Sequence, residues 1–265
     1  MVNTKIKETV RALLVEGKIR GFLGLRGENG HIMPHLFCDP QELESLSLGD
    51  WKKAGDSRYP LNQILIRLAM EYPEETFAVL VRGCDERGLR ELFKWKQLDE
   101  EKVIPIGIGC PDELAKVCEC EKPFPDGLID GPRGEKTGSQ KVARINEMGL
   151  DARFKFWLAE FNRCVKCFGC RNVCPMCFCN ECTLEEEFLV GKGEVPPDNP
   201  TFHLVRAMHM VGRCIDCGLC EEACPADIPL RTLYKKIADI VSEEFGYKTG
   251  YSVDEKSPLN IIEVK

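Results

Sequence analysis

Cysteine is the residue type whose spacing carries chemistry in this chain. Cys164, Cys167, Cys170 and Cys174, followed by Pro175, spell C-x2-C-x2-C-x3-C-P, and Cys214, Cys217, Cys220 and Cys224, followed by Pro225, spell it again. Three thiolates two residues apart wrap a short loop around three irons of one cube, while the fourth is carried on to the other cube. The rule predicts two 4Fe-4S clusters, one on Cys164, Cys167, Cys170 and Cys224, the other on Cys214, Cys217, Cys220 and Cys174. Each proline ends its loop, lacks an N–H and fixes the chain's departure. Structural zinc also uses paired C-x2-C units, but rarely four cysteines in so compressed a run.

Eleven of the sixteen cysteines fall between Cys164 and Cys224. In a reducing cytosol that usage fits metal ligation better than a disulfide framework. Cys84 and Cys110 each follow a predicted strand, which puts them at the carboxyl edge of a sheet, where ligands of open α/β folds bind. Cys118 and Cys120 come one helix later and could complete a four-thiol set; the same four positions also suit small buried thiols. Cys177, Cys179 and Cys182 are open to a further cluster, to replacing the 118/120 pair, or to shielding the cubes. Cys38 is read as a structural thiol. His203 and His209 precede a motif already complete in ligands, so surface or packing roles are expected of them.

The other function classes find little support. A net charge of −7 speaks against a phosphate-binding surface, so nucleic acid is not an expected partner. No run of 18 apolar residues appears, so no membrane span is expected, and a cytoplasmic location is. Four histidines, with no Ser/His/Asp set, carboxylate pair or Walker loop, leave the hard chemistry to cofactors.

Two kinds of domain must position these residues. Ile6, Val10, Leu13 and Leu14 recur at helical spacing, and strand-like Gly21–Leu25 follows. Helices around Ile64–Ala69 and Leu89–Phe93 alternate with the apolar runs Phe77–Val81 and Val103–Ile108, the order of an open, mostly parallel α/β sheet over residues 1–125. The Pro-, Gly- and charge-rich stretch 126–150 reads as a linker. Residues 151–246 read as mainly α-helical. Phe154, Trp157, Leu158 and Phe161 share one face before the first motif, Leu204, Val205, Met208 and Val211 another before the second, and Leu230 to Val241 form a stripe behind Pro229. Residues 247–265 read as a polar, irregular tail.

The second domain, with Gly-Leu-Cys220-Glu-Glu-Ala-Cys224-Pro-Ala-Asp-Ile-Pro-Leu, resembles the α-helical dicluster ferredoxin modules of succinate dehydrogenase and heterodisulfide reductase subunits. In the first, Leu-Leu-Val-Glu-Gly-Lys-Ile, Ala54-Gly55-Asp56-Ser57-Arg58-Tyr59, Gly83-Cys84-Asp85 and Gly107-Ile108-Gly109-Cys110 resemble the beta subunit of deazaflavin-coenzyme-reducing hydrogenases and formate dehydrogenases. That resemblance implies a third 4Fe-4S cluster on Cys84, Cys110, Cys118 and Cys120. It also implies FAD, for which Gly55, Ser57, Arg58, Tyr59 and Asn62 are the candidates, in a stretch that an ordinary polar turn would equally explain. The ferredoxin module stands where the family's own coenzyme pocket is expected. The expected function is therefore an electron-relay subunit, serving a larger catalytic oxidoreductase subunit and other electron carriers. Direct exchange with a soluble deazaflavin or nicotinamide coenzyme is the alternative.

Overall fold

The computed structural model describes residues 4–49, 58–191, 195–196 and 200–258. The chain divides into two compact units, Met1–Gly138 and Ser139–Lys265. The stretch 126–150 expected as a linker carries a strand and a helix, and the division falls between them.

In the first unit, α1 (Thr4–Val15) buries Ile6 and Val10 and leads into β1 (Gly21–Glu28). β1 pairs antiparallel with β2 (His31–Phe37) and with the two-residue β3 (Leu46–Ser47). On its other side it pairs parallel with β4 (Phe77–Val81), which pairs parallel with β5 (Val103–Ile108), and β5 with β6 (Leu128–Asp130). The order is β2-β1-β4-β5-β6, so the sheet is mostly parallel with an antiparallel edge. Every residue of β4 is buried. That burial on both faces is why the run Phe-Ala-Val-Leu-Val is continuously apolar rather than alternating. α2 (Leu61–Glu71) and α3 (Gly83–Lys94) are the crossovers on either side of β4, and α4 (Asp112–Val117) follows β5.

The chain beyond α4 is pressed against the carboxyl edge of this sheet, and two glycines make room for it. A Cβ on Gly83 would stand 2.2 Å from the Lys122 carbonyl oxygen, and one on Gly109 1.8 Å from that of Pro132. Both contacts are with backbone, so neither position accepts a side chain unless the loop moves.

The second unit is helical. It runs α5 (Gln140–Glu147), α6 (Leu150–Phe161), α7 (Gly169–Asn172), α8 (Thr201–Met210), α9 (Leu219–Glu222) and α10 (Leu230–Phe245). Its helix faces differ from the apolar stripes of the sequence. α6 buries only Phe161, with Leu150 and Phe154 exposed. α8 buries Phe202, His203, Arg206, Ala207 and Met210, while Leu204 and Met208 face out. α10 buries Leu230 and Val241 of its expected stripe together with Thr232, Tyr234 and Lys235, and leaves Ile240 exposed. Beyond α10 the chain is irregular, yet Tyr247 and Ser257 are buried, so residues 247–258 pack rather than trail. Among the described residues, no helix is long and apolar enough to cross a membrane.

Candidate iron-sulfur sites

The two motifs fold alike. At the third position of each, Lys166 and Asp216 have φ of 52° and 54°, and at the fifth, Phe168 and Gly218 have 58° and 82°. These left-handed residues curl the loop so that backbone N–H groups turn toward sulfur. The Lys166 N–H donates to Cys164 Sγ at 3.4 Å and the Gly169 N–H to Cys167 Sγ at 3.4 Å. The Asp216 N–H meets Cys214 in the same way. α7 and α9 then carry the third cysteine of each loop toward the fourth.

Two cavities result. One is lined by Cys164, Cys167, Cys170 and Cys224. The other is lined by Cys174, Cys214, Cys217 and Cys220. The fourth cysteine of each motif therefore lines the cavity of the other, as the spacing rule requires.

The donor chemistry suits a polynuclear iron group. Burial, then neighbouring thiols, pushes the Cys164 and Cys170 thiols up, and burial with Asp216 and Cys217 pushes Cys214 well up. Four thiolates crowded together need a cationic core to hold them ionised, and iron supplies one. Polar atoms left over inside the cavities fit the same group. His203, 2% exposed, lines the first cavity with neither ring nitrogen hydrogen-bonded among the described residues. The packing role expected of it is seen in its stacking on Phe161, ring centroids 4.3 Å apart. His209 is exposed.

Cys177 sits beside the second set: it meets Cys174, and Arg206 Nη1 donates to its Sγ at 2.8 Å. Cys179 lies near Cys177, and Cys182 near Arg171. No spacing signal pointed to Arg206, the residue that links this corner. Asp216 holds the second loop to α10, accepting from Arg231 Nε at 2.7 Å and Lys235 Nζ at 3.2 Å. In the first motif, Lys166 at the equivalent position donates to the Gly191 carbonyl.

In the α/β unit, Cys84 is the second residue of α3 and Cys110 follows β5, both at the carboxyl edge. Burial pushes the Cys110 thiol up to about 11; Arg82, Cys120, Cys118 and Asp85 all act on it. Cys118 caps α4, and Cys120 is buried one residue beyond Glu119, whose φ is 45°. Cys110, Cys118 and Cys120 are thus brought together, and Cys84 lies 3.9 Å from a carboxylate oxygen of Asp85. Of the flavin candidates, Gly55 and Ser57 lie outside the described residues. Arg58 Nη1 is 4.0 Å from Cys118 Sγ, and Asn62 Nδ2 donates to the Asp85 carbonyl at 2.8 Å, so both reach this edge. The Tyr59 hydroxyl instead donates to the Ile32 carbonyl on β2 at 2.6 Å. Cys38 is exposed, its N–H capped by Glu42 at 3.1 Å.

Fold and site together define an iron-sulfur protein in which an α/β unit precedes a helical, cysteine-rich unit. Residues 190–229 match the family described as a 4Fe-4S dicluster domain. Over 224 residues, 84% of its length, the chain is 43% identical to the F420-dependent formate dehydrogenase subunit beta of Methanocaldococcus jannaschii. It is 37% identical over 137 residues to the F420-dependent formate dehydrogenase 1 subunit beta of Methanococcus maripaludis, a match covering 48% of the chain. These matches span 55% and 35% of the relatives' own lengths.

Proposed function

We propose that this chain is the iron-sulfur electron-transfer subunit of a cytoplasmic, multi-subunit oxidoreductase of the formate dehydrogenase kind, relaying single electrons to or from a larger catalytic subunit. The observation that carries this reading is the pair of cavities, each lined by four cysteines drawn from both motifs. When bound, a 4Fe-4S cluster is a one-electron store whose potential is set by hydrogen bonds to sulfur, burial and charge. The chain's residues supply those settings through the left-handed loops and the N–H groups they turn to sulfur. The relatives' names, subunit beta of a formate dehydrogenase, support a catalytic partner. Anaerobic size exclusion of the native protein from its host is expected to show it migrating with a catalytic subunit. Recovery solely as a free monomer would contradict the proposal.

The ligand sets proposed are Cys164, Cys167, Cys170 and Cys224 for one cluster and Cys174, Cys214, Cys217 and Cys220 for the second. A third, on Cys84, Cys110, Cys118 and Cys120, is supported by the gathering of three of these thiols with Asp85 at the carboxyl edge of the sheet. An alternative role, FAD-mediated exchange with a soluble deazaflavin or nicotinamide coenzyme, is favoured by the F420 dependence in the relatives' names and by Arg58 and Asn62 at that same edge. Near-stoichiometric flavin released by acid from the anaerobic complex supports it, and absence of flavin rejects it.

A further inference from the structure

α8 carries two nitrogen-bearing side chains into the helical unit, and they differ by one charge. His203 lines the cavity of Cys164, Cys167, Cys170 and Cys224. One turn on, Arg206 lines the cavity of Cys174, Cys214, Cys217 and Cys220. Only 2% of Arg206 is exposed. A buried guanidinium is costly unless its charge is answered, and replacing it with apolar packing would ordinarily be no worse. Among the described residues, its hydrogen bonds go to a cysteine sulfur and a backbone carbonyl rather than to a carboxylate. Nη1 donates to Cys177 Sγ at 2.8 Å and Nη2 to the Cys170 carbonyl at 3.0 Å. Nε is buried with no hydrogen-bond partner among the described residues. Such an orphan N–H costs free energy unless an acceptor fills the cavity it borders. Sulfur of a thiolate-ligated cluster is such an acceptor, and its net negative charge is the missing counter-ion.

We propose that Arg206 is a positioning residue that stabilises the reduced state of the cluster held by Cys174, Cys214, Cys217 and Cys220, setting that cluster's potential above the value its thiolates alone would give. Reduction adds one electron from an external one-electron donor. No bond forms or breaks at Arg206, and its proton count does not change. A fixed cation beside the cavity favours the more negative redox state, so removing it makes the electron harder to accept. One turn earlier on the same face of α8, the His203 imidazole lines the other cavity, so the two cavities meet different nitrogen side chains three positions apart. The Nη2 bond to Cys170 ties the first loop to the same cation.

This rests on the proposal that the cavities hold 4Fe-4S clusters, which iron and sulfide content of the unaltered chain tests separately. Given clusters, the test is a potentiometric titration of the anaerobic full-length chain, followed by electron paramagnetic resonance, for the parent, Arg206→Gln and Arg206→Lys. Arg206→Gln is expected to weaken electron acceptance at one cluster at least tenfold, a midpoint about 59 mV lower for a one-electron couple. Arg206→Lys keeps the charge and is expected to recover more than half of that shift. Loss of iron from the Gln variant but not from the Lys variant also supports the proposal, because it shows the cavity needs the cation. Midpoints that change less than twofold in Arg206→Gln (under ~18 mV at the same conversion), a Lys variant no better than Gln, or loss of iron from both variants overturns it.

Discussion

Asp216→Ala is expected to loosen the second cysteine loop, and the size of the effect follows from the two bonds of its carboxylate and the conformation of its backbone. The carboxylate accepts from Arg231 Nε at 2.7 Å and from Lys235 Nζ at 3.2 Å, while Arg231 Nη2 donates to the Asp216 carbonyl at 3.0 Å. The three side chains are 18%, 15% and 7% exposed, so the ion pairs are only lightly screened. Truncation removes two charge-assisted bonds, each worth roughly 1.5 kcal/mol at the low end appropriate to partial exposure. Alanine also tolerates the left-handed φ of 54° less well than aspartate, adding about 1 kcal/mol. The sum is about 4 kcal/mol, or an apparent melting point lower by roughly 12 °C for a unit of this size. Asp216→Asn keeps the backbone preference and one acceptor, and is expected to lose about half as much. The assay is thermal bleaching of the visible cluster absorbance under anaerobic conditions at one scan rate, since loss of a cofactor makes the transition operational. An alanine variant melting within 2 °C of the parent would refute the reasoning, as would an asparagine variant melting with or below alanine.

The crossed ligation separates two double variants: Cys170→Ser/Cys224→Ser is expected to lose one cluster, about four irons, while Cys170→Ser/Cys174→Ser loses both; equal iron in the two would reject the crossing. Gly109→Ala is expected to destabilise the α/β unit by ~3 kcal/mol, because its Cβ would stand 1.8 Å from the Pro132 carbonyl oxygen, and an unchanged urea midpoint would count against the packed loop. In the chain without clusters, burial favours neutral His203, its pKa lowered from 6.5 to about 4. The unfolded chain therefore takes the proton first, so the stabilisation is complete above pH 6.5 and lost as pH falls toward 4. His203→Phe keeps the stack on Phe161 and is expected to flatten that acid arm; an unaltered pH slope in the variant would refute it.

Much of this arrangement was legible from residue spacing, and what was not has a common cause. The cysteine motifs are local, so which four thiols line each of the two cavities could be anticipated from their spacing. The buried parallel strands Phe77–Val81 and Val103–Ile108 announced themselves as continuous apolar runs. β2 was missed because His31-Ile-Met-Pro-His mixes polar and apolar residues on an edge strand, where one side lacks a neighbour. β6 has only three residues and was hidden among glycines and prolines that serve the close backbone approach to β5. The helix faces of the second unit were read as apolar stripes, yet α8 turns His203 and Arg206 inward. Apolar periodicity assumes a hydrocarbon core. A core organised around thiols rewards nitrogen donors and cations, and the stripe of Leu204 and Met208 is left facing out.

The proposed relay depends on iron-sulfur clusters held by cysteines shared between two motifs. The most direct measurement is iron, inorganic sulfide and zinc per anaerobically purified chain, with paramagnetic-resonance counting of the reduced clusters. About eight irons and eight sulfides are expected from the helical unit, about twelve of each with the third set occupied, and no stoichiometric zinc. Zinc in place of iron, or iron at about four or fewer without matching sulfide, would contradict it.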